Sequence, residues 1–124
     1  MRHAAGLGAL LVCVWLVVVA VTVWALAALG LPAGVDAFIG DLRHPWRAQF
    51  YADLEAHLVM FAAWIAWRER FSGAGIAFAV LTMLTGALFT VAYVLVAGIK
   101  AGGDVRALLL GEAGAAAPRP TSAQ

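Results

Sequence analysis

The chain has 124 residues, a single-domain length, but 65% of them are apolar and only 12% are charged, where a soluble domain carries about a quarter charged. Eight Lys and Arg against seven Asp and Glu give a net charge of +1. With no basic run interleaved with aromatics, the composition argues against nucleic acid as a partner. One cysteine, Cys13, excludes an intrachain disulfide and reads as a small hydrophobe inside the first apolar block.

Residues 4–31 hold no charge. At 1.5 Å per residue such a helix exceeds a hydrocarbon core of about 30 Å, which predicts a first transmembrane helix over about 5–29. Arg2 and His3 precede it and Ala25-Leu26-Ala27 offers a cleavage-like triplet. A signal-peptide core is only about 7–15 residues long, however, so an uncleaved helix is expected. Thr22, its only hydroxyl side chain, is expected to bond back to its own helix. Gly30, Pro32 and Gly34 are expected to end the helix. Val35, Phe38, Ile39 and Leu42 then alternate with Asp36, Asp41 and Arg43, which suits an amphipathic turn along the headgroups.

Pro45 fits the first position of a second helix, over 46–67, whose exit is marked by Arg68-Glu69-Arg70. Ser72 and Gly73 make the turn. Because charge is again absent over 71–99, a third spanning helix over 72–99 is expected to form an antiparallel hairpin with the second. It stops at Lys100 and Gly102-Gly103. Residues 104–110 can form helical turns on the membrane surface, and the patternless stretch 111–124 reads as a disordered tail. The expected architecture is an all-α membrane protein, one domain over 1–110 with three transmembrane helices. Trp24, Trp46, Tyr51 and Tyr93 are expected at one interface and Trp64, Trp67 and Phe71 at the other, with Trp15 in neither belt. The basic residues are nearly balanced across the two sides, and Arg68 and Arg70 in the shortest loop favour a cytoplasmic N-terminus.

The second helix carries Asp53, Glu55 and His57 well inside its ends, and ionisable groups at that depth form a functional-site hypothesis by default. Helical spacing puts Gln49, Asp53, His57, Met60 and Trp64 on one stripe. Glu55 lies about 200° from Asp53, on the opposite face, so sheltering both carboxylates from lipid requires cover on two sides. Thr82, Gly86 and Thr90 follow a small-xxx-small spacing on the third helix, with Thr85 and Tyr93 close to the same face. In a continuous antiparallel hairpin, Asp53 would be level with 86–90, His57 with 82–85 and Gln49 with Tyr93, so that the two polar stripes could meet. Asp53 and His57 could share a proton, or the carboxylates could stay protonated and join helices by hydrogen bonds. Three histidines, His3, His44 and His57, lie at different depths, so neither a haem nor a metal site is expected within one copy. No cofactor is expected, and no phosphate loop, nucleophile elbow or zinc-protease spacing occurs.

His44-Pro45-Trp46, Asp53-Leu54, Trp64 leading to Arg68-Glu69, and the closing run 108–111 of Leu-Leu-Leu-Gly resemble the small integral membrane proteins of bacteria grouped as domains of unknown function. The resemblance covers helices two and three and implies a small multi-pass inner-membrane protein without an assigned activity. The small subunits of heterodimeric lycopene cyclases are similar in size and span count, but their paired-glutamate motif is absent here, so no catalytic role carries over. The functional expectation is an integral membrane protein that oligomerises or serves a partner membrane subunit. The alternatives are a proton-coupled transporter or channel-like component, and a membrane-embedded enzyme subunit using a protonated carboxyl on a lipid or isoprenoid.

Overall fold

The computed structural model describes residues 2–116, with side chains described from Gly6 onward except at 112, 113 and 115. Among these residues all regular structure is helical: α1 (Arg2–Asp41), α2 (Pro45–Arg68), α3 (Gly73–Thr85), α4 (Ala87–Ala101) and α5 (Val105–Ala115). Among the described residues only α1 is both long and apolar enough to cross a membrane, and none of its apolar stretch is fully buried by the rest of the chain. The coarse expectation, an all-helical bundle with an N-terminal helix of spanning length, is what the structure has.

The breaker cluster after residue 29 acts only at Gly30 (φ 75, ψ 169), beyond which the helix resumes and runs to Asp41. Pro32 falls in the first turn of the resumed segment, where a missing N–H costs nothing and no preceding carbonyl is struck. Residues 31–41 are therefore helical rather than a loop. They are fastened to the start of α2 by an ion pair between Asp41 and Arg47, a hydrogen bond from Tyr51 Oη to Asp41 (3.2 Å), and an edge-on contact of Phe38 with Tyr51 at 4.8 Å. As expected, Pro45 opens α2 and Thr22 donates to the Val18 carbonyl of its own helix (2.7 Å).

At the far end of α2 the chain reverses in very few residues. Arg70 N–H donates to Trp67 O (3.0 Å) and Phe71 N–H to Ala66 O (2.7 Å), the paired bonds of a Schellman ending. The left-handed position that usually holds glycine is occupied here by Arg70 (φ 57), followed by Phe71 (φ 53). Ser72 then caps α3 by accepting from Gly75 N–H at 3.1 Å. The antiparallel packing of α2 and α3 follows from this turn.

The stretch 72–99 is not one helix. It divides at Gly86, whose φ 58 and ψ −132 lie outside anything a side-chain-bearing residue adopts comfortably. The second piece turns back towards the α2–α3 turn. Phe78 on α3 lies against Phe89 and Tyr93 on α4, with ring centroids 5.7 and 5.9 Å apart, and Tyr93 reaches the Glu69 carboxylate. A continuous helix would hold residues 78 and 93 more than 20 Å apart. With 13 and 15 residues, α3 and α4 are each only about 20 Å long, short of a bilayer core of about 30 Å. The hairpin tip rests beside the Leu58 side chain of α2, 3.9 Å from where a Cβ on Gly86 would stand.

α1 packs along α4, and Trp15 donates its indole N–H to the Leu88 carbonyl at the hairpin tip (2.9 Å). That bond accounts for a tryptophan belonging to neither aromatic belt. The small core consists of Leu58, Ala62, Ile65 and Ala66 on α2 with Thr82, Thr90 and Ala97 on the hairpin. Its small side chains allow the helix backbones to approach closely. After α4, Asp104 caps α5 through the Arg106 N–H (2.8 Å). α5 extends to Ala115 with a break at Gly111, so the expected tail is helical over its first residues; its remainder, 117–124, lies outside the described residues.

The reversal at Gly86 sets a first prediction. Gly86→Ala places a Cβ on a backbone that only glycine tolerates, at a cost of about 1–3 kcal/mol. The melting temperature of the protein in detergent should fall by several degrees, whereas Gly98→Ala, with open space around it, should leave it nearly unchanged.

Candidate functional site

Turning α4 back at Gly86 brings together residues that a continuous third helix would separate by most of a membrane. Arg68, the last residue of α2, is the centre of this cluster, and its side chain is only 10% exposed. It donates from Nε to Leu108 O (2.8 Å), from Nη1 to the Glu69 carboxylate (2.7 Å) and to Tyr93 Oη (2.9 Å), and from Nη2 to Ala107 O (3.5 Å). Tyr93 Oη in turn donates to the same Glu69 oxygen at 2.5 Å. One guanidinium thus ties the end of α2 to the middle of α4 and to the last turn of α5 before its break.

The carbonyls it holds belong to the last turn of α5 before the break at Gly111. A cation is favoured there by the partial negative charge of a helix C-terminus. Trp64 takes the neighbouring Leu109 carbonyl through its indole N–H (3.2 Å), and its ring stands edge-on to Tyr93 at 5.9 Å. α5 approaches so closely that a Cβ on Gly111 would lie 3.2 Å from the Arg68 carbonyl oxygen. Tyr93 therefore belongs with Trp64, not with Gln49 or the opposite aromatic belt. The adjacent pair Arg68-Glu69 was the only sequence signal for this cluster, and its reading as a plain interfacial exit missed it.

The residues singled out on α2 lie towards the other end. His57 Nδ1 donates to the Asp53 carbonyl oxygen (2.7 Å), since a carbonyl can only accept, and it stands 3.8 Å from the Asp53 carboxylate. The side chains are 64% exposed at Asp53 and 60% at His57, and Gln49 and Met60 on the same stripe are also exposed. Glu55 is half-buried and shares its side of α2 with Tyr51, Leu58 and Ala62. The two carboxylates do occupy different faces of the helix.

The polar stripes of α2 and of the hairpin do not meet. Thr85 and Thr90 donate to the Leu81 and Gly86 carbonyls of their own backbone (2.8 and 2.9 Å). Thr82 is fully buried, and its hydroxyl has no hydrogen-bond partner among the described residues. Gly86 lies beside Leu58 and not beside Asp53, and the reversal there carries Thr90 and Tyr93 away from Asp53. Among the described residues, no three His, Cys, Asp or Glu side chains gather as a metal site would need.

No family model matches this chain, and no curated protein or solved structure matches it significantly.

The clamp predicts strong coupling. Tyr93→Phe should cost about 1 kcal/mol. Arg68→Leu, which strands a carboxylate and two carbonyls, should cost about 3 kcal/mol or more. In a double-mutant cycle read by thermal unfolding in detergent, the two losses should fall short of additive, because both variants remove the same contact.

Proposed function

We propose that the protein is a small multi-pass protein of the inner membrane that works by assembly, either with a second copy or as an accessory to a membrane subunit. α1 crosses the bilayer on its own apolarity, α2 is long enough to cross but does so only with its polar residues covered by protein, the α3–α4 hairpin enters and leaves by one face, and the segments 31–41 and α5 lie at opposite surfaces. Support for two crossings and a re-entrant hairpin comes from the short α3 and α4, from the hairpin tip at Leu58, and from the largely exposed apolar side chains of α1.

The observation that carries the assembly reading is the outer face of α2. Asp53 and His57 sit there beyond the hairpin tip, among exposed Phe50, Leu54, Met60 and Phe61. Apolar side chains on that scale suit lipid or protein and not water, and the carboxylate and imidazole do not suit lipid. A covering protein surface satisfies both requirements. Glu55 does not compete for that cover, because it faces the side of α2 that the chain itself partly shelters. A proton-relay role gains less support, because the Nδ1 proton of His57 is held by a carbonyl within its own helix.

Single cysteines at positions 50–60, introduced in a Cys13→Ser background and treated with a membrane-impermeant maleimide, should resist labelling. Met60→Cys should cross-link to a neighbouring chain, and Asp53→Leu should lower the assembled fraction on a native gel. Uniform labelling of 50–60 in intact membranes would place this half of α2 in water and end the proposal.

A further inference from the structure

At the end of the molecule where the clamp lies there is an open cleft of about 290 Å³, walled by Arg68, Glu69, Arg70 and Lys100, with Ala107 and Gly111 of α5. Three cations and one carboxylate line it among the described side chains. The carboxylate is already committed to Arg68 and Tyr93, and Arg68 is committed to the carbonyls of α5. Arg70 and Lys100 are left at the mouth, both exposed, with no acidic partner among the described residues. Two uncompensated cations converging on one cleft attract an anion with several oxygens.

The surroundings indicate which anion. Each cation of the cleft adjoins in sequence a large exposed apolar residue: Trp67 beside Arg68, Phe71 beside Arg70, and Ile99 beside Lys100, the last 79% exposed. None of the three lines the cleft itself, but they expose apolar surface at the same end of the molecule. A freely diffusing anion has no use for that surface, whereas a lipid presents its phosphate to the cations and its chains to the apolar side chains. The backbone supports the placement. Arg70 holds the left-handed position of the turn, which fixes the point where its side chain leaves the chain, and Lys100 stands near the last turn of α4.

We propose that this cleft binds the phosphate headgroup of an anionic lipid, with Arg70 and Lys100 as its direct ligands and Arg68 positioning α5 as the third wall. The site rests on the membrane reading above only in that this end must lie at headgroup level; it requires no assembly through α2.

The test uses the full chain in nanodiscs of phosphatidylcholine doped with phosphatidylglycerol, with co-purifying lipid counted by native mass spectrometry. Wild type should retain phosphatidylglycerol over phosphatidylcholine. Arg70→Gln and Lys100→Gln should each weaken that preference roughly fivefold, and the double variant more than tenfold. Arg43→Gln, at the opposite end, should leave it unchanged. Both cleft residues are exposed, so folding is not at risk, and an unchanged melting temperature verifies this. Equal losses from Arg43→Gln would reduce the effect to general surface charge and overturn the site. Inorganic phosphate at millimolar concentration displacing the lipid completely would overturn the lipid assignment in favour of a soluble anion. A chain that stays in the aqueous phase without detergent would refute the membrane reading itself, an outcome distinct from loss of headgroup preference.

Discussion

One long helix over 72–99 and two shorter ones of 13 and 15 residues have almost the same composition, so what separates them must be local. In this chain it is the conformation of Gly86. The positive φ there sends the backbone back along the path it came, and everything at the clamped end follows from that turn: Phe78 against Phe89 and Tyr93, Tyr93 on Glu69 and Arg68, and α4 arriving where α5 can be received. α1 meets the returning helix through Trp15, so the tip is held from two sides, by Leu58 and by an indole bond. A bundle of this kind needs few large buried residues, because small side chains let the backbones approach.

Much of this was legible in the sequence. The charge-free first block, the proline at the head of α2, the Ser72 turn and the opposite placement of Asp53 and Glu55 all rest on short-range rules, and the structure agrees with each. The failures share one origin. An unbroken apolar run looks like one span whether or not it reverses, and a glycine in a small-xxx-small pattern signals close packing as readily as a turn. Reading Gly86 as a packing residue displaced Tyr93 by the thickness of the membrane and hid the clamp, since Arg68 and Glu69 gain their meaning only when Tyr93 and α5 stand beside them. Gly30 shows the converse. Three breakers within five residues suggested a terminus, yet only one breaks the ladder, because proline is harmless in a first turn.

The two polar regions differ in how far they are completed within a single chain. At the clamp, the charges and the carbonyls answer one another, and the guanidinium is almost hidden. On α2, the imidazole and the carboxylate look outward among exposed apolar neighbours. The two ends therefore differ in polar satisfaction: the groups at the clamp are paired within the chain, whereas those on α2 are exposed.

The turn after α2 carries one more implication. Its left-handed position accepts glycine without strain, and an arginine there forgoes about 1 kcal/mol of backbone comfort. Thermodynamic durability alone would therefore select against the side chain found at residue 70. If the cleft binds a lipid headgroup, the arginine trades an easier bend for a reachable positive group, and a glycine variant would separate the two in a single step.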